Sequence, residues 1–220
     1  MEKAMFASIR RYRMHKGSMN ELASRVDEGF AEEICAQPGF VSYEFVDCGD
    51  GEVMTISIFG EAGGAAGSRD LARQWTDENL QDLEFTRMGA LDGEILVSRA
   101  KEDMLEPGHV STSRKFASVR RYALRDGSVA ALMHKVDEIF ADRIEGLDGF
   151  EAYHALDCGR SEILSISLMR DQASAEVSDD LALQFVGEEL GEFDIERTEV
   201  IGGEVIVSRA MAELLEPAHA

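Results

Sequence analysis

Apolar positions recur along this chain with two periods in turn. Phe6–Tyr12 favours an extended strand, and Lys16-Gly17 breaks it. Beyond the break the period becomes helical, with Met19, Leu22, Ala23, Val26, Phe30 and Ile34 on one face of an amphipathic helix. Ser18-Met-Asn-Glu21 has the form of a capping box, in which hydroxyl and carboxylate each satisfy an orphan backbone N–H, and Pro38-Gly39 ends the helix. Phe40–Val46 and Glu52–Phe59 then read as a hairpin around Asp47-Cys-Gly-Asp-Gly51, with Gly49 making the turn. A second helix carrying Leu71 and Trp75 ends near Leu80, its start unmarked, and Glu94–Ala100 forms a last β-branched strand. The order is βαββαβ.

The same pattern is written again 110 residues later. Phe6-Ala-Ser-Ile-Arg-Arg-Tyr12 falls on Phe116-Ala-Ser-Val-Arg-Arg-Tyr122, and Gly93-Glu-Ile-Leu-Val-Ser-Arg-Ala100 on Gly203-Glu-Val-Ile-Val-Ser-Arg-Ala210. Roughly two positions in five are identical without a gap, which marks a duplication. Residues 1–110 and 111–220 are therefore expected as two ferredoxin-like domains of α+β class. If Ile9, Ile56, Ile58 and Val97 face the helices, alternation puts Phe6, Ser8, Arg10, Tyr12, Thr55, Ser57, Phe59, Leu96 and Ser98 on the opposite face. That face also carries apolar groups that want burial. Two such sheets packed face to face, an intramolecular pseudo-dimeric α/β barrel, would cover it. The connection Lys101–Lys115 could span up to about 50 Å and permits that closure.

Charge narrows the partners. A net charge of −21 argues against nucleic-acid backbones and anionic membranes, which demand clustered Lys and Arg. Solubility is the simpler use of an acidic surface. No apolar run reaches bilayer length and Met1-Glu-Lys-Ala-Met-Phe6 lacks the core of a signal peptide, so a cytoplasmic protein is expected. Cys35, Cys48 and Cys158 make neither a disulfide framework nor a C-x-x-C pair, and the five histidines lack metal-ligand spacing, so no metal is expected. Cys48 and Cys158 share one position in the repeats without a neighbouring cation, which favours an inert thiol.

Pro38-Gly-Phe-Val-Ser-Tyr43, Ser68-Arg-Asp-Leu-Ala-Arg-Gln-Trp75 and Gly93-Glu-Ile-Leu-Val97, in this order of elements, resemble the antibiotic biosynthesis monooxygenase superfamily of dimeric α/β barrels. The resemblance covers nearly the whole of both repeats. Members usually pair two separate chains, so it implies a pair fused into one, able to form higher oligomers. It implies a range of activities: cofactor-free oxidation of quinols and polyketides, haem degradation, or none assigned. The fold alone does not choose among them.

The candidate ligand-binding set comprises the polar residues expected on the face between the sheets: Ser8, Arg10, Tyr12, Tyr43, Ser57 and Ser98, matched by Ser118, Arg120, Tyr122, Tyr153, Ser167 and Ser208. A cofactor-free oxidation needs a dry pocket, a base and a group to stabilise a phenolate or enolate. Arg10 or Arg120 would stabilise that anion, and Tyr12 or Tyr122 would orient it. Glu44 and His154, at one shared position, are the candidate catalytic bases, with their direction left open by the register. The structural reading is that buried Arg pairs with a carboxylate and buried Tyr caps a hydrogen-bond network.

Gly60-Glu-Ala-Gly-Gly-Ala-Ala-Gly67 lacks the Lys-Ser/Thr ending of a phosphate-binding loop and reads as a helix start. Trp75 with Asn79 is similar to part of the Asn, Trp and His set of haem-degrading members, but Phe185 and Glu189 replace them and no His follows suitably. The expected function is binding of a small aromatic or polyketide-like molecule between the sheets, without a cofactor. A cofactor-independent monooxygenase acting on a phenol or quinol is the alternative, and haem binding a minor one. The differences between Glu44 and His154, Trp75 and Phe185, and Asn79 and Glu189 imply unequal halves.

Overall fold

The structure, a computed structural model, describes residues 4–101 and 115–210. The Lys101–Lys115 connection, apart from its end residues, and the segments Leu105-Glu-Pro-Gly-His109 and Leu215-Glu-Pro-Ala-His219, which match across the repeat, lie outside them. The first repeat runs β1 (Met5–Met14), α1 (Met19–Arg25), a π-helical turn (Val26–Phe30) continuous with α2 (Ala31–Cys35), β2 (Phe40–Gly49), β3 (Glu52–Phe59), α3 (Ala62–Asn79) and β4 (Phe85–Ala100). The second runs β5 (Lys115–Asp126), α4 (Val129–Lys135), a π-helical turn (Val136–Phe140), α5 (Ala141–Glu145), β6 (Phe150–Asp157), β7 (Glu162–Met169), α6 (Gln172–Glu189) and β8 (Asp194–Ala210). The strands hydrogen-bond in the closed order β1-β3-β2-β8-β5-β7-β6-β4, an α/β barrel of two ferredoxin-like repeats. No helix among the described residues is long and apolar enough to cross a membrane.

Local signals explain most boundaries. Ser18 accepts a hydrogen bond from the Glu21 N–H at 3.2 Å, as a cap should, and Ser128 accepts from the Ala131 N–H at 3.4 Å. The reciprocal arm of the expected capping box is replaced: the Glu21 carboxylate accepts from Arg25 at 2.6 Å, an i,i+4 pair. Gly64 lets α3 seat closely, since a Cβ there would come within 2.3 Å of the Pro38 carbonyl and 2.8 Å of the Phe59 ring. The hairpin turns need left-handed backbone at Gly49 (φ 84°) and Gly159 (φ 76°), as expected, and also at Asp50 and Arg160.

The chain forms two compact units, each one repeat completed by the end of the other's last strand. The first comprises residues 4–92 and 205–210, with β8 covering the edge of β2. In the second, residues 93–101 and 115–204, the end of β4 pairs with β6, Ser98 opposite His154. Arg209 donates to Asp27 at 2.6 Å in the first unit, and Arg99 pairs with Asp137 at 2.8 Å in the second. β4 and β8 are accordingly 16 and 17 residues long. Their first halves escape a reading by hydrophobicity because residues such as Thr86, Arg87 and Met88 are exposed. Residues 1–110 expressed alone lack the strand end that covers β2. Size-exclusion chromatography should show that fragment self-associating through the open edge, and a stable monomer would contradict the pairing.

The sheet faces are the reverse of those expected for β1 and β3. In the first unit Leu22, Val26, Phe30 and Trp75 of the helices pack on Tyr43, Phe45, Val53 and Phe59, with Tyr12 beside them. Burying each large apolar side chain contributes roughly 1.5–3 kcal/mol. Ser8, Arg10, Tyr12, Thr55 and Ser57 share this helix side. Ile9, Ile56 and Ile58 are turned away from the helices but are equally buried, at 4%, 1% and 3% exposure. Val97 keeps its expected side, packed on the helices of the second unit. A strand buried on both faces has no polar edge to mark its inner side, so alternation names the two sets without orienting them.

Candidate functional site

In the second unit the helix-side polar row is closed. Strand period two places Ser118, Arg120 and Tyr122 side by side on β5, under Ser178 and Asp179 of α6. The buried Arg120 guanidinium donates from Nε to Asp179 Oδ1 at 2.6 Å, from Nη2 to Ser178 Oγ at 2.6 Å and from Nη1 to Ser167 Oγ at 2.9 Å. Ser118 donates to the same carboxylate oxygen at 2.7 Å. Tyr122 and Tyr153 both hydrogen-bond Ser165, and burial pushes both phenols up, so they remain neutral.

The first unit keeps the frame and changes the partners. Arg10, 2% exposed, donates from Nη2 to Ser68 Oγ at 2.6 Å, as Arg120 does to Ser178. Where α6 has Asp179, α3 has Arg69, which turns to Asp92 Oδ2 at 3.2 Å. The other oxygen of Asp92 accepts from Ser8. Arg10 Nε and Nη1, Thr55 Oγ1 and Ser57 Oγ are left buried without a hydrogen-bond partner among the described residues. Burial depresses the Arg10 pKa, opposed by the field of Tyr12, Asp92 and Tyr43, and raises those of Tyr12 and Tyr43.

Beside each row, between sheet and helices, lies a cavity. That of the first unit, about 30 Å³ open to water centres, is walled by Tyr12, Phe30, Tyr43, Phe45, Trp75 and Phe85, with Thr55 among its lining residues. That of the second, about 40 Å³, is lined by Tyr122, Phe140, Tyr153 and Phe185 with Ser165. The π-helical turns widen the helix at these cavities and aim Phe30 and Phe140 at them. Phe30 meets Tyr43 edge to face, with ring centroids 5.4 Å apart, and lies tilted against Trp75 at 5.5 Å. The larger Trp75 is accommodated by Gly29, where a Cβ would stand 3.1 Å from the indole. The second repeat has Ile139 and the smaller Phe185 at those positions.

The candidate bases lie elsewhere. His154, 3% exposed, and Glu44, 1% exposed, share rows with Ile166 and Ile56 on the face turned away from the helices. Ser98 Oγ lies 3.0 Å from His154 Nδ1, and burial brings the imidazole pKa down to about 4, so it is neutral. Ser208, beside helix-packed Val207 on β8, also falls on this face. The structure thus gathers Ser8, Arg10, Tyr12, Tyr43 and Ser57, and Ser118, Arg120, Tyr122, Tyr153 and Ser167, on the helix sides. It leaves Glu44, His154, Ser98 and Ser208 out of those groups. The sequence reading overlooked Ser68, Ser178 and Asp179. A serine kept in both repeats on an apolar helix stripe, as in Ser68, Ala72 and Trp75, was the available signal.

Cys48 is pushed up to about 12 by burial and by Glu52, which keeps it a thiol. The described residues contain no group of three His, Cys, Asp or Glu able to hold a metal ion. The cavities do not fit haem. Both are far smaller than a macrocycle, neither lining includes a histidine, and Asn79 is engaged with the Trp75 carbonyl at 3.0 Å.

No family model and no curated protein matches this sequence. Solved structures do. A "putative monooxygenase" from Fusobacterium nucleatum superposes with a TM-score of 0.70 at 8% identity, covering 96% of each chain. An anthrone oxidase-like protein gives 0.57 at 12% identity, covering 99% of this chain and 98% of its own. A mutant chlorite dismutase from Candidatus Nitrospira defluvii gives 0.60 at 11%, covering 93% and 92%. At these identities the likeness is one of fold, the dimeric α/β barrel.

Proposed function

We propose that this dimeric α/β-barrel chain binds a small aromatic molecule in the sheet–helix cavity of its first unit. The observation that carries the reading is the wall of six aromatic side chains that this cavity shares with Thr55, whose hydroxyl is buried without a hydrogen-bond partner among the described residues. Rings offer stacking faces and edges, while the hydroxyls of Thr55, Tyr12 and Tyr43 can orient a polar substituent. Trp75, the sole tryptophan of the chain, stands in this wall and reports directly on occupancy. Titrating phenols and quinols should give a saturable change in tryptophan fluorescence, and a flat response across the panel would refute the reading.

A second reading is cofactor-independent oxidation of a phenol or quinol, favoured by the names of two structural neighbours, a "putative monooxygenase" and an anthrone oxidase-like protein. The substrate would pass its own electrons to dioxygen, and Arg10 would stabilise its anion. In that case Arg10→Ala lowers the rate of oxygen uptake at least tenfold. Rates unchanged in both Arg10→Ala and Arg120→Ala would sink oxidation while leaving binding intact.

A further inference from the structure

We infer that the first unit takes its ligand by a carboxylate, received by Arg10 with the hydroxyls of Thr55 and Ser57; this deepens, and rests on, the aromatic-binding reading above. The second unit shows what the guanidinium at this place requires. There Nη2 goes to a helix serine, Nη1 to a strand serine and Nε to a carboxylate oxygen. In the first unit, among the described residues, only the helix-serine bond survives. The acceptor lost at Nε is the carboxylate that the helix of the second unit supplies as Asp179.

Among the described residues no side chain accepts from Arg10 Nε or Nη1: residue 69 is itself an arginine, and Asp92, which acts on Arg10 through its field, directs its two oxygens to Ser8 and Arg69. A buried guanidinium with two uncompensated nitrogens is costly, and here it is joined by two unpartnered hydroxyls of the neighbouring strand. Arg10 lies directly across the strand pair from Thr55, and Thr55 lines the aromatic cavity. The unpartnered groups of Arg10, Thr55 and Ser57 therefore sit at neighbouring strand positions on the helix side, next to an apolar pocket that Thr55 lines, and the equivalent positions of the second unit are satisfied from within. A planar oxyanion on an aromatic ring satisfies both parts: the carboxylate replaces Asp179 and the ring meets the cavity wall. The cavity is only partly enclosed, so a ring need not fit wholly inside it.

Titration of the full chain with benzoate, benzyl alcohol and acetate, read by Trp75 fluorescence and calorimetry, tests this. Benzoate should bind at least tenfold more tightly than either. Arg10→Met should abolish its advantage over benzyl alcohol. The double variant Arg69→Asp/Asp92→Gly, which rebuilds the arrangement of the second unit, should weaken benzoate at least tenfold and leave benzyl alcohol unchanged. Benzyl alcohol binding as tightly as benzoate, or benzoate unaffected by Arg10→Met, would overturn the carboxylate inference while the aromatic reading stood. Acetate matching benzoate would reduce the site to a small-anion receptor and overturn the commitment to an aromatic acid. If neither ring compound binds, both readings fall.

Discussion

Asp179→Ala should lower the unfolding free energy by about 3 kcal/mol, because it leaves a fully buried guanidinium without its counter-charge. The full range for breaking a buried pair runs to about 5 kcal/mol, but the Asp179 side chain is 30% exposed, and solvent screening keeps the expectation at the lower end. Ser118 loses its acceptor in the same substitution. The matching change in the first repeat, Arg69→Ala, should cost less than about 1 kcal/mol. Arg69 is half exposed and its bond to Asp92 is of the kind that contributes little. Urea denaturation of the two variants in parallel measures the contrast. Equal losses would mean that the polar rows of the two units are energetically equivalent, against the difference in their hydrogen bonding.

Acidification should cost nearly as much through one residue. The unfolded imidazole has its ordinary pKa of 6.5, while buried His154 is held at about 4 in the folded chain. Between these values the unfolded chain binds a proton that the folded chain refuses, so stability rises with pH in this window. The contribution is fully present above pH 6.5 and is lost as pH falls towards 4. Its size, at 1.36 kcal/mol per unit, is about 3 kcal/mol. His154→Gln retains a polar group beside Ser98 but no titrating one. Its stability relative to the parent should therefore climb between pH 6.5 and 4, as followed by thermal melts at fixed ionic strength. Parallel pH profiles for the two proteins would show that His154 already titrates normally when folded.

The two expectations bear on function in opposite ways. His154 was a candidate base from its residue type, and it lies off the helix side, away from Arg10, Tyr12 and the aromatic cavity. Arg10 was one of a symmetric pair in the sequence. It becomes distinct only when the partners of Arg120 are counted and found missing around it. The expected inequality of the halves does hold in the polar rows and cavity walls. It turns on Arg69 against Asp179 and Asp92 against Gly202 more than on Glu44 against His154, because carboxylates far apart in sequence decide which guanidinium is satisfied.

Much of the fold was readable from local chemistry. Helical spacing identified Leu22, Val26, Phe30 and Ile34 as one buried stripe, Ser18 and Ser128 marked helix starts, and glycines marked both hairpins. These signals act within a few residues of one another, where backbone geometry alone links sequence to structure. The repeat identified equivalent positions with the same certainty, since it compares residue with residue.

Tertiary structure decided the rest. Alternation could say that Ser8, Arg10 and Tyr12 belong together, but not that they lie beneath the helices, because Ile9, Ile56 and Ile58 on the other face are as deeply buried. Only packing breaks that tie. Likewise no local signal in Phe85–Asp92 announces a strand, as its hydrogen bonds go to β1, a segment distant in sequence. Local chemistry was enough to set most of the elements, their duplication and the sets of side chains that share a face. Which face of the sheet carries the polar row beneath the helices, and which arginine of that row is left wanting an acceptor, depended on contacts between residues some sixty positions apart, and no short-range periodicity encodes contacts at that separation.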